Sequence, residues 1–222
     1  MAFLKVLFAI VVLCVIAIIG YFVSYDWIYP TYVVRYRLTV NAVVGQQPHT
    51  GTTVIEVRVK KQPKLLADMP PLHFSVTGQA TFVDLGGGRN LVAALAPGPS
   101  RGSDAISILF RAFNIPFAAS SASQLKNLRG EHRLDPANWP AFVTFRNVSD
   151  PLSVESVDPS ALENAFGVSA RIESVTLAVT EASVTNDLDQ RLPWLSAPLS
   201  NHDMLVLARR QFSRGEFIRN DP

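Results

Sequence analysis

From Val6 to Val23 the chain carries no charge, and the run reads VLFAIVVLCVIAIIGYFV. No other stretch constrains the molecule as much. A helix over residues 3–23 would be about 30 Å long, which matches the hydrocarbon thickness of a bilayer. A cleaved signal peptide needs small residues at −3 and −1 of the cut. Ile18 stands at −3 for a cut after Gly20, and Phe22 for a cut after Ser24. A lipoprotein cut needs a small residue before its cysteine, and Leu13 precedes Cys14. The expectation is an uncleaved single-pass anchor, a signal-anchor over residues 1–24. Tyr21, Phe22, Tyr25, Trp27 and Tyr29 follow as an aromatic membrane-interface belt, giving a juxtamembrane segment over 25–32 that Pro30 closes. Lys5 and the α-amine on one side nearly balance Arg35 and Arg37 on the other. The short Lys-bearing lead favours the amino terminus in the cytoplasm.

The rest of the 222 residues is enough for one domain. Lys and Arg number 20 and Asp and Glu 18, a net charge of +2. That balance argues against a dedicated nucleic-acid binder, whose affinity rests on neutralising phosphates. Cys14, the only cysteine, lies in the apolar run, so the body needs no disulfide.

Residues 33–44 alternate, with Val34, Tyr36, Leu38, Val40, Ala42 and Val44 on one face and Arg35, Arg37, Thr39 and Asn41 on the other. That pattern predicts a half-buried strand. GQQPHTG at 45–51 reads as a turn, and 52–61 as the partner strand, with Ile55, Val57 and Val59 opposite a wet face of Glu56, Arg58 and Lys60. One strand is expected over 72–85, with Phe74, Val76, Ala80 and Phe82 inward, and another over 90–95. A helix follows over 104–113, then a weak helix or mobile stretch over 118–130 and a strand over 141–145. VDPSALENAFG at 157–167 predicts a helix capped by Asp158, opened by Pro159 and stopped by Gly167. A long strand over 168–185 carries a bulge near Glu173 and Ser174, where the apolar spacing slips. Ser200 to Asp203 form a capping box for a short helix, and a basic tail ends the chain. The fold class is α+β: a single N-terminal transmembrane helix, then a mainly antiparallel β-sheet domain over 33–199 with a few short helices, then a helix and tail over 200–222.

Candidates for chemistry are few. Gly86, Gly87 and Gly88 resemble a phosphate cradle, but the lysine and the following helix are missing, so they read as a hairpin turn. Gly98-Pro99-Ser100-Arg101-Gly102 fits G-x-S-x-G. Ser100, an acid such as Asp150 or Asp158, and His202 then stand in hydrolase order, although the antiparallel surroundings and Pro99 suit a nucleophile elbow poorly. No spacing of His, Cys, Asp or Glu predicts a metal, and no cofactor is expected. In the tail, Arg209, Arg210, Arg214 and Arg219 interleave with Phe212 and Phe217. This arm either contacts lipid or a partner, or packs on its own domain.

TTVIEVRV, TFVDLGGGRNLVAAL and VDPSALENAFGVSARIESVTLAVTEASVT with RLPWL together resemble a group of uncharacterised proteobacterial single-pass membrane-anchored proteins. The resemblance implies a bacterial source and an inner-membrane anchor with the carboxy-terminal body in the periplasm. It implies no activity and no catalytic residue. The functional expectation is a non-enzymatic module, tethered to the bilayer through residues 3–23, that binds a protein partner or assists assembly of a membrane complex. The alternatives are a membrane-anchored serine hydrolase using Ser100 and an envelope ligand-binding module.

Overall fold

The computed structural model describes residues 2–63, 66, 68–97, 106–167 and 169–221. Its class is α+β, with two mostly antiparallel sheets and few helices. α1 (Ala2–Ile28) leads through Tyr29 and Pro30 into β1 (Thr31–Val44). Among the described residues no helix is long and apolar enough to cross a membrane.

β1 and β2 (Gln47–Lys61) form a long hairpin in which Val44 faces Gln47. The turn is Gly45-Gln46, and not the whole of 45–51 as expected. Gly45 has φ +62°, which the first position of a type II′ turn demands. The inward row of β1 matches the expected face: Tyr36, Leu38, Val40 and Ala42 are buried.

The single strand expected over 72–85 is two. β3 (Leu72–Gln79) pairs with β2, and β4 (Thr81–Gly86) pairs with β5 (Arg89–Pro97) in a different sheet. Ala80 is the joint between them. Its N–H bonds the carbonyl of Phe217, and its own carbonyl accepts from Thr53. Alternation along 72–85 hides the switch because both halves keep one buried face.

The first sheet has the order β10-β3-β2-β1-β9-β6, where β6 is Glu131–Arg133, β9 Ala170–Val179 and β10 Ile218–Asn220. The second runs β4-β5-β7-β8, with β7 Pro140–Phe145 and β8 Val154–Val157. Glu173 is the extra residue of a bulge, since Asn41 faces Ser174 and Ala42 faces Ile172. Between the sheets lies the main core, which joins Tyr36, Leu38, Ile55 and Val57 to Leu91, Ala93 and Phe142 and takes in Leu109 and Phe110 of α2 (Ile106–Ala112). The opposite face of the second sheet, with Val92, Val143 and Phe145, is covered by Leu188, Leu192, Trp194, Leu207 and Phe217. The molecule is thus two sheets and a third layer of short helical turns.

Residues 119–127 form a 3₁₀ helix. The helix expected over 157–167 shrinks to α3 (Leu162–Phe166). Asp158 accepts from the N–H and hydroxyl of Ser160, so it makes a local turn after β8 and caps no helix. Gly167, at φ +64°, does end α3. The strand expected over 168–185 ends at Val179; the chain then leaves the ladder, with Thr180 bonding Arg35 and Thr185 bonding Val54 at 3.0 and 3.1 Å. α4 (Asn201–Arg209) begins at Ser200, whose hydroxyl accepts from the N–H of Asp203.

Candidate functional site

Gly86, Gly87 and Gly88 connect β4 to β5. Gly86 pairs with Arg89, which leaves Gly87 and Gly88 at φ +62° and +78° as the two central residues of a tight hairpin. Asp84 accepts the N–H of Gly86 at 2.9 Å.

Ser100 lies outside the described residues. His202 sits exposed on α4. Asp150 accepts the N–H of Leu152, and the hydroxyl and N–H of Ser160 hold the carboxyl of Asp158 below its usual range. Both candidate acids thus serve local turns.

The aromatic residues of the tail pack on its own domain, one of the alternatives the sequence left open. Phe217 is 1% exposed, with ring centroids 5.5 Å from both Phe145 and Trp194, and Phe212 is buried in the same cluster. The reason is β10, which pairs with β3 and pulls the preceding turn into the third layer. Arg210 donates to the carbonyl of Leu152, Arg214 to that of Leu195 and Arg219 to that of Gly215. Of the tail residues named for contact, Arg209, Arg210 and Arg214 remain exposed.

The ring of Tyr25 lies between those of Tyr21 and Tyr29, edge-on to the first at 5.8 Å and tilted against the second at 5.0 Å, and Trp27 is 85% exposed. Phe22 has no described side chain.

Glu56, expected on a wet face, is 3% exposed. Arg35 directly across the hairpin and Arg58 two residues along each donate to it at 2.7 Å. Burial pushes the carboxyl upward, but the two guanidinium hydrogen bonds outweigh it and hold the group below its usual range. Both carboxylate oxygens of Glu56 are thereby engaged by guanidinium groups. Among the described residues no group of three His, Cys, Asp or Glu can hold a metal.

The concave feature with the most apolar lining lies at the β7–β8 end of the second sheet. It encloses about 480 Å³ and is lined by Pro136, Trp139, Pro140, Phe142, Val157 and Pro159, among others. The indole N–H of Trp139 donates to Leu134 at 3.0 Å, and Phe142 stands edge-on to its ring at 6.1 Å. These contacts fix the indole against the wall. β8 is the last strand of its sheet, so among the described residues no strand lies beside its outer edge. A second cleft of about 200 Å³ is polar, but Gln79 in it already binds Asp187 and the N–H of Leu188. The larger cleft was missed in the sequence; its signal was the tryptophan flanked by prolines in PANWPAF, outside any periodic run.

No protein-family model, curated protein or solved structure matches the chain.

Proposed function

We propose that this chain is a membrane-tethered, non-enzymatic binding module. The cleft beside β8 holds an extended, apolar segment of a protein partner. The single observation that carries the reading is the apolar cleft of about 480 Å³ beside the last strand of the second sheet. Trp139, Phe142 and the prolines offer apolar contact to the side chains of such a segment.

The anchor reading rests on the 27-residue α1 and on its uncharged run from Val6 to Val23. Its described side chains from Ile10 to Gly20 are exposed, which suits a helix solvated by lipid. Residues 3–23 then meet the bilayer, and Tyr21, Tyr25 and Tyr29 mark its surface. The sequence resemblance adds the bacterial inner membrane as the location and the periplasm as the compartment of the body. Tethering raises the effective concentration for a membrane partner without new contacts.

Co-purification from gently solubilised native membranes, followed by mass spectrometry, tests the module. A discrete partner is expected with the wild type and is lost with Trp139→Ala of unchanged melting temperature. Recovery of the protein alone, or a partner indifferent to Trp139→Ala, overturns the reading.

A further inference from the structure

Among the described residues outside α1, the exposed large apolar side chains are Val33, Leu66, Phe117, Met204 and Leu205. Three of them gather where α1 enters the body. Val33 is two residues into β1. Phe117 is 57% exposed and stacks on Phe110 at 4.5 Å, with Phe74 6.3 Å away. Phe74 faces Val59, which faces Tyr32, the second residue of β1. Leu66, 72% exposed, lies in the connection that leaves β2 at this same end, where the N–H of Lys61 bonds the carbonyl of Pro30.

Cations gather there too. Lys60 holds its ammonium 5.3 Å from the ring of Tyr25, and Lys126 holds its own 5.2 Å from the ring of Tyr32. Lys61 follows Lys60 at the end of β2, and Arg129 shares a cleft with Lys126 and Glu181, while Asp68 lies in the connection after β2. Apolar tips among cations make the pattern of a surface seated at a membrane interface. Only Tyr29 and Pro30 separate α1 from β1, so the body has no slack with which to stand off.

We infer that this end of the body is a lipid-binding face: Val33, Leu66 and Phe117 enter the interfacial layer while Lys60, Lys61, Lys126 and Arg129 take anionic headgroups. The inference rests on the anchor reading of α1. Phosphate-bearing lipid is the occupant because the cations flank apolar tips and do not line a closed pocket.

The test uses the full chain carrying Cys14→Ala, reconstituted in nanodiscs of phosphatidylcholine with or without phosphatidylglycerol. A polarity-sensitive fluorophore is placed by Leu66→Cys, Phe117→Cys, Ile16→Cys or Met204→Cys, and a spin-labelled lipid serves as quencher. The Ile16, Leu66 and Phe117 labels are expected to shift to the blue and lose emission to the quencher, and the Met204 label to do neither. Replacing Lys60, Lys61 and Lys126 with Gln is expected to lessen quenching at Leu66 and Phe117 in the anionic discs. If the Ile16 label is quenched while Leu66 and Phe117 behave like Met204, the lipid-binding face is overturned and the anchor stands. If the Ile16 label stays in water, the anchor falls and the face with it. Equal quenching in both lipids, unmoved by the Gln variants, overturns the role of anionic headgroups. Leu66 makes no ring contact, so its label reads the face even where Phe117→Cys disturbs Phe110.

Discussion

Gly51→Ala is the sharpest probe of how the two sheets meet. Gly51 lies in β2 opposite Val40, and its φ is not positive, so alanine suits its backbone. On conformational grounds alone the change would stabilise the protein by about 0.4–1 kcal/mol. The structure predicts the opposite sign. A Cβ at Gly51 would sit 2.3 Å from the carbonyl oxygen of Phe82 and 2.9 Å from both its carbonyl carbon and Cγ2 of Val83. Normal carbon–oxygen approach is about 3.3 Å, so β2 and β4 must part by about 1 Å. The obstacle is backbone, held by the pairing of Phe82 with Val92, and cannot swing aside like a long side chain. Overpacking costs about 1–3 kcal/mol, and a rigid obstacle places this site near the top of that range. At about 2–4 °C per kcal/mol for a domain of this size, the melting temperature falls by about 6–12 °C. Thermal unfolding followed by circular dichroism, on the full chain in one detergent, measures it. A variant melting at or above the wild-type temperature would refute the close approach of β2 and β4.

Phe217→Ala should cost about 3–5 kcal/mol by chemical denaturation, because it empties the cluster with Phe145 and Trp194; a loss below about 1 kcal/mol would return the tail to the surface. Tyr36→Phe should leave stability unchanged or raise it by about 1 kcal/mol, since the buried hydroxyl has no hydrogen-bond partner among the described residues. Burial pushes that hydroxyl's pKa up and keeps it neutral, so a destabilised variant would reveal a partner. Glu56 has its folded-state pKa depressed, so it contributes stability above its unfolded value of about 4.3 and loses it as pH falls through the folded value. Glu56→Gln should therefore flatten the acid side of a stability–pH profile while costing about 1–3 kcal/mol at neutral pH; an unchanged acid limb would sink the pairing with Arg35 and Arg58.

What the residues announced in advance was local. The inward face of β1, the bulge at Glu173, the glycine hairpin and the stop at Gly167 each depend on neighbours within a few positions. What stayed hidden depends on partners far along the chain. Ala80 looks like any inward residue until the strands on either side find different sheets. Glu56 reads as solvent-facing until Arg35 arrives from across the hairpin and Arg58 closes on it. Phe212 and Phe217 left open whether the tail contacts a partner or packs on its own domain, because the strand that follows them, β10, pairs with residues 77–79. The cleft was illegible for a related reason: Trp139, Phe142 and Val157 converge only after β7 and β8 have paired.

The strand order of the first sheet also sets a clock. β1 takes β9 as its neighbour on one side, and the side chains of Asn41 and Ser174, which bond across that pair, are 133 residues apart. At a synthesis rate of about 5–20 residues per second, β1 exists for roughly 7–27 s before β9 has been made. During that interval the ladder edge of β1 that β9 will take is bare. On the proposed anchor reading, a newborn chain held near a bilayer by its leading helix waits in two dimensions, where siblings are close and bare edges pair. Successful folding of this protein then depends on how widely its nascent copies are spaced, and crowding their synthesis should lower yield before any change in the stability of the finished molecule.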